Sequence, residues 1–154
     1  MTKHHSPGKS RDDAREAAIC TCFNLRKAAR AVTQLYDAAL GPSGLRATQF
    51  SLIAALGVRG APTISQLAKA MVMDRTTLTR NLKPLEKQGL VAVVAGEDRR
   101  TRHVRLTPSG HEVLTAALPL WRHAQGEIGA RLGVARRDRL LVELSATVSA
   151  AQET

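Results

Sequence analysis

Aromatic side chains are almost missing from this 154-residue sequence; Phe23, Tyr36, Phe50 and Trp121 are all of them. Proteins that hold single-stranded nucleic acid stack bases on several aromatic faces, so that mode of recognition is excluded here. Cysteine is nearly as scarce. Cys20 and Cys22 stand two positions apart, which makes no disulfide framework and fits a reducing compartment. No apolar run approaches the roughly 20 residues that a membrane-spanning helix needs, and Met1–Asp13 is polar where a secretory signal would be apolar. The expectation is a cytoplasmic protein with no membrane partner. A nucleophile with its base, a carboxylate pair and a glycine-rich phosphate loop are also lacking, so neither an enzyme nor a cofactor is expected. His103, His111 and His123 are scattered without ligand spacing, and His4 and His5 belong to a solvated terminus, so no metal site is expected.

Positive charge is what the chain has in excess. Lys and Arg number 23 against 13 Asp and Glu, giving a formal net charge of +10, and the sequence pI is about 10.8. A polyanionic partner follows. Roughly half of the excess lies between Lys69 and Arg105, where Lys69, Arg75, Arg80, Lys83, Lys87, Arg99, Arg100, Arg102 and Arg105 outnumber Asp74, Glu86, Glu97 and Asp98. With stacking platforms missing, double-stranded DNA is the partner this distribution suits.

Residues 1–11 read as a disordered basic tail, and 12–154 as a single domain. From Asp12 to Leu40 neither Gly nor Pro occurs, and Leu25, Ala28, Ala29, Val32, Leu35 and Ala39 recur at helical spacing, which predicts one long helix. Gly41-Pro42-Ser43-Gly44 breaks it, and Ala47–Arg59 resumes as a second helix. Thr63 is a good N-cap for a short amphipathic helix to Met71, with Ile64, Leu67, Ala68 and Met71 on one face. After a turn at Val72 and Met73, Asp74 caps a third helix that buries Leu78, Leu82 and Leu85. Arg75, Thr76, Thr77, Thr79 and Arg80 are then expected to face out, as on the recognition helix of a helix-turn-helix. A kink is expected at Pro84.

Leu90–Ala95 and Arg102–Thr107 read as two strands around Gly96–Thr101, a β-hairpin with an arginine-rich tip. A basic hairpin directly after a recognition helix is a wing, with Arg99, Arg100 and Arg102 placed for the minor groove and Asp98 placed to orient an arginine. Thr107 and Pro108 open a long helix to about Leu132, Gly133 ends it, and a last helix covers about Arg136–Ala150. The predicted architecture is mainly α with one small β-hairpin: a winged helix-turn-helix over 47–107, framed by long helices at 12–46 and 108–150. Those framing helices are too apolar to stay exposed, and a homodimer interface is the economical explanation. Two rival readings are a winged-helix module that binds protein, and an architectural binder indifferent to DNA sequence.

Three stretches carry a family resemblance over about Asp12 to Ala150: LRATQFSLIAAL, ISQLAKAMVMDRTTLTRNLKPLEKQGLV and GEDRRTRHVRLTPSGHEVL. The chain resembles the MarR family of bacterial regulators, whose Asp-x-Arg stands here as Asp98-Arg99-Arg100 and whose Leu-Thr-x-x-Gly stands as Leu106–Gly110. The resemblance implies an obligate dimer, a palindromic operator, and usually repression relieved by a small molecule or an oxidant. A narrower similarity to the organic-hydroperoxide sensors, the OhrR branch, rests on Cys22-Phe23 and Tyr36. It implies a reactive Cys22 held by a tyrosine of the partner subunit. Fourteen helical residues span about 21 Å, so Cys22 and Tyr36 would meet only across a dimer. Arg26, one turn beyond Cys22, is a further candidate for this redox or ligand site. The chain departs from that branch at Ala47, where the branch has a second tyrosine, and no cysteine follows Cys22.

Overall fold

The computed structural model describes residues 13, 15–96, 98 and 101–153. The predicted tail at 1–11, with His4 and His5, and the wing arginines Arg99 and Arg100 lie outside the described residues. The elements are α1 (Thr21–Leu40), a 3₁₀ turn (Gly41–Ser43), α2 (Ala47–Arg59), α3 (Ile64–Ala70), α4 (Arg75–Lys87), β1 (Val91–Ala95), β2 (Arg102–Leu106), α5 (Pro108–Leu132) and α6 (Val134–Gln152). This is the mainly helical winged architecture that the periodicity predicts. The chain divides into two compact units within α1, at Leu35 and Tyr36.

The first unit corrects the expectation of an unbroken helix from Asp12. Residues 15–18 are helical, but Ile19 and Cys20 form a break before α1 starts at Thr21. The chain tightens there, with Ile19 N–H donating to Glu16 O and Cys20 N–H to Ala17 O, each at 3.2 Å. The Asn24 side chain then donates to Ala18 O at 2.9 Å and to Cys20 O at 3.0 Å. The asparagine side chain gives Ala18 O a partner and adds a second bond to Cys20 O, which already accepts the Asn24 N–H at 3.1 Å, a pattern that a count of apolar spacing does not register.

In the second unit one apolar core joins the helix-turn-helix to α5. Phe50, Leu52, Ile53 and Leu56 of α2, Leu67 of α3, Leu78, Leu82 and Leu85 of α4, and Val91, Val104 and Leu106 of the hairpin are all buried in it. Phe50 stacks on Trp121 with ring centroids 6.1 Å apart, a geometry that adds to the burial of both rings. The turn between α3 and α4 places Val72 at φ 52°. A β-branched residue rarely adopts that left-handed conformation, so the turn is held by its neighbours: Met73 N–H reaches Ala68 O at 2.9 Å.

Pro84, where a kink is expected, lies inside α4. The helix continues to Lys87, with Gln88 N–H donating to Pro84 O at 3.0 Å. Proline removes the donor that Arg80 O would have accepted and crowds that carbonyl with its ring, and both residues are exposed, so water can reach the freed oxygen. Helix α6 begins at Val134, two residues earlier than expected, because Gly133 alone, at φ 83°, makes the break.

The hairpin pairs antiparallel from Val91↔Leu106 to Ala95↔Arg102. Strand β2 is also held on its outer side: Val104 N–H donates to Pro62 O at 2.9 Å, and His103 Nδ1 lies 2.9 Å from Ala61 O. The wing is thereby fixed to the segment that leads into α3. At its base, Thr107 Oγ1 accepts the Gly110 N–H at 3.0 Å and donates to Gly89 O at 2.6 Å, while Thr107 N–H donates to Leu90 O at 3.1 Å. A Cβ on Gly110 would stand 2.0 Å from the Leu90 carbonyl oxygen. The Leu-Thr-x-x-Gly pattern is therefore a joint between the end of α4, the wing and the start of α5.

Candidate nucleic-acid interface

Asp74 sets the start of α4. Its Oδ1 accepts the Thr77 N–H at 2.7 Å and its Oδ2 accepts the Thr77 hydroxyl at 2.6 Å. The hydroxyl bond first, then the backbone bonds, hold the Asp74 carboxyl below its ordinary pKa. Leu78, Leu82 and Leu85 take the buried side, as their spacing predicts. Arg75, Thr76, Thr79 and Arg80 are exposed and, with Lys83, line one shallow groove of about 430 Å³. Thr77 does not face out with them, which corrects that expectation. It is half-buried, because its hydroxyl and its N–H both turn to Asp74.

A second groove, of about 370 Å³, separates α4 from the wing. Its floor is apolar (Ile64, Leu82 and Val93) and Arg75, Lys83 and Arg102 form its rim beside Glu86. Arg75 and Arg102 also meet Thr63, Ser65 and Thr101 at a smaller hollow, so the start of α3 belongs to the same surface. Asp98 is exposed at the wing turn, where its carbonyl accepts the Thr101 N–H at 2.8 Å.

Three basic or polar contributors escaped the sequence reading of the site: Lys83, Ser65 and Arg46. Arg46 precedes α2, and with Thr48 and Gln49 it faces Arg80, Asn81 and Pro84 across a groove of about 420 Å³. Only the packing of α2 against α4 brings Arg46 there. Lys83 was legible, since it lies on the same helical face as Arg75, Thr76, Thr79 and Arg80.

The proposed redox residues are distributed differently. Cys22 and Arg26 are exposed in the first two turns of α1. Both cysteines are free, and Cys20 precedes the helix, so the expectation of two cysteines on one intact helix is corrected. Tyr36, in the second unit, is half-buried and donates its hydroxyl proton to Gln125 Oε1 at 2.5 Å. Burial pushes its pKa up, and the positive charge of Arg137 partly opposes this. The donor that the OhrR-like reading assigned to a partner's thiolate is already engaged within its own chain. Among the described residues, no cluster of three His, Cys, Asp or Glu side chains could hold a metal ion. No helix among them is long and apolar enough to cross a membrane.

Two short helices in a fixed turn, a basic face on the second and an antiparallel hairpin pinned beside it define a winged helix-turn-helix for duplex DNA. The MarR family model matches residues 45–101, the helix-turn-helix and the start of the wing. The transcriptional activatory protein BadR of Rhodopseudomonas palustris is 32% identical over 122 residues, covering 76% of this chain and 70% of BadR. The chain belongs to the MarR family. The transcriptional regulator MosR of M. tuberculosis, solved in complex with DNA, is 42% identical, with 86% of this chain and 98% of MosR covered and a TM-score of 0.76. The transcriptional repressor MprA of Escherichia coli is 34% identical over 77 residues, 49% of this chain and 44% of MprA. The protein is a DNA-binding transcriptional regulator of the MarR type, not an enzyme.

Proposed function

We propose that this regulator acts as a homodimer on a palindromic operator, represses transcription from it, and is released by a small-molecule effector. The observation that carries the reading is the exposed face of α4, where Arg75, Thr76, Thr79 and Arg80 share one groove. In this reading these four enter the major groove, Thr77 with Asp74 holds the helix start, and Arg102 takes the wing into the minor groove. Asp98, Arg99 and Arg100 complete the wing in the same proposal, and the framing helices at 12–46 and 108–150 form the dimer. The dimer is supported by α6, none of whose residues is buried and which leaves Leu140, Leu141, Leu144 and Val148 exposed. Repression is supported by the likeness to MprA. Footprinting on the DNA that flanks the regulator's own gene tests it, with and without small aromatic acids. The expected result is protection over an inverted repeat that an effector abolishes. Equal affinity for every duplex would leave only the architectural reading.

A second reading makes Cys22 the effector site, and the observation that favours it is the exposure of this thiol in the first turn of α1. The thiolate would break the O–O bond of an organic hydroperoxide, taking one oxygen as a sulfenic acid and releasing the alcohol. Operator binding by wild type and Cys22→Ser, each with and without the hydroperoxide, decides between the readings. Release of wild type alone supports the redox route, and equal behaviour of the two proteins removes it.

A further inference from the structure

The outward face of α4 offers fewer hydrogen-bond donors than its sequence suggests. Thr79 Oγ1 donates to the Arg75 carbonyl one turn back at 2.7 Å, and Thr77 Oγ1 donates to Asp74 Oδ2 at 2.6 Å. A hydroxyl has one proton, so both threonines have committed theirs inside the helix. Side-chain donation on the groove is left to Arg75, Thr76, Arg80 and Lys83.

The bond from Thr79 also fixes its shape. A β-branched side chain has few rotamers in a helix, and one that holds Oγ1 against the backbone leaves its methyl as the part turned away. Thr79 is exposed, and it stands among Arg75, Thr76, Arg80 and Lys83 on one face. In the major groove the apolar feature of a base edge is the C5-methyl of thymine. An exposed threonine whose hydroxyl is engaged by its own backbone has its methyl left to offer a partner, and the thymine methyl is the complement of that group.

We propose that Thr79 is a specificity-determining residue that reads one thymine in each half-site through methyl contact, without donating a hydrogen bond. The assignment rests on the operator reading above and names part of the sequence that the operator must contain. Removing one methyl contact is worth about fourfold in affinity per half-site, from about 0.8 kcal/mol per buried carbon.

The test starts from a duplex selected by the wild-type protein out of a random pool. Each thymine is then replaced by uracil, which lacks the methyl and keeps every hydrogen-bonding group. Binding is measured for wild type, Thr79→Val and Thr79→Ser, with a random duplex as the control for folding and charge. One thymine per half-site should show the fourfold uracil penalty with wild type and with Thr79→Val, and no penalty with Thr79→Ser. A uracil penalty unchanged in Thr79→Ser, no penalty anywhere with wild type, or a loss beyond threefold for Thr79→Val on the thymine duplex overturns the assignment. Failure of wild type to select any sequence sinks the operator reading itself, and the role of Thr79 with it.

Discussion

Gly110 and Thr77 show how much a single position can decide. The Leu90 carbonyl oxygen lies 2.0 Å from where a Cβ on Gly110 would be. Neither helix start nor strand end can give way cheaply, so Gly110→Ala should cost about 3 kcal/mol or more, read from the urea midpoint. An unchanged midpoint would mean that the joint is softer than its geometry. Gly57 makes a useful contrast, because its nearest neighbour is the end of the Leu114 side chain at 2.7 Å, which can rotate away. Individual residues were legible in the sequence where burial is periodic. Leu78, Leu82 and Leu85 recur along one helical stripe and are buried as the spacing predicts. Thr77 was not legible, because a hydroxyl choosing between a base and Asp74 leaves no mark on periodicity. Arg46 was not legible either, since its meaning depends on a groove formed with α4. If that groove meets a phosphate, Arg46→Ala should weaken binding to all duplexes alike and flatten the log–log salt slope by about 0.9. A change in sequence preference instead would place Arg46 on a base.

At the scale of elements, the start of α4 is sensitive to acid. The Asp74 carboxylate has a depressed pKa in the folded state, so its contribution is present above the ordinary carboxylate pKa and is lost as pH falls through the depressed one. Asp74→Asn keeps an accepting oxygen without the titration. Thermal melts from pH 6 down to pH 2 should therefore show wild type losing stability relative to Asp74→Asn only at the acid end. Parallel curves would remove Asp74 from the pH response. Elements were legible where capping and breaking residues agree, as at Thr63, Asp74, Thr107 and Gly133. The break at Ile19–Cys20 was not, because no Gly or Pro marks it and the Asn24 side chain that sustains it acts from within the following helix.

For the whole molecule, the apolar stripe of α6 has the largest consequence. Leu144 is 36% exposed and Leu141 52% exposed in the single chain. If these residues pack against a second copy, Leu141→Asp with Leu144→Asp should convert a sedimenting dimer to monomer and weaken operator binding at least tenfold. The helix-turn-helix core contains neither residue and should keep its fold. A variant that stays dimeric would move the interface elsewhere.

The Thr107 joint ties together segments far apart along the chain, and this bears on how the protein opens. The end of α4, the base of the wing and the first turn of α5 share the bonds of Thr107 to Gly89, Leu90 and Gly110. Any fluctuation that frees one of them breaks bonds held by the other two, so the three should open as one cooperative unit. The amide protons of Leu90, Thr107 and Gly110 should exchange with deuterium at matched rates. Thr107→Val should make all three faster together. Independent exchange rates would mean that the wing opens without disturbing either helix.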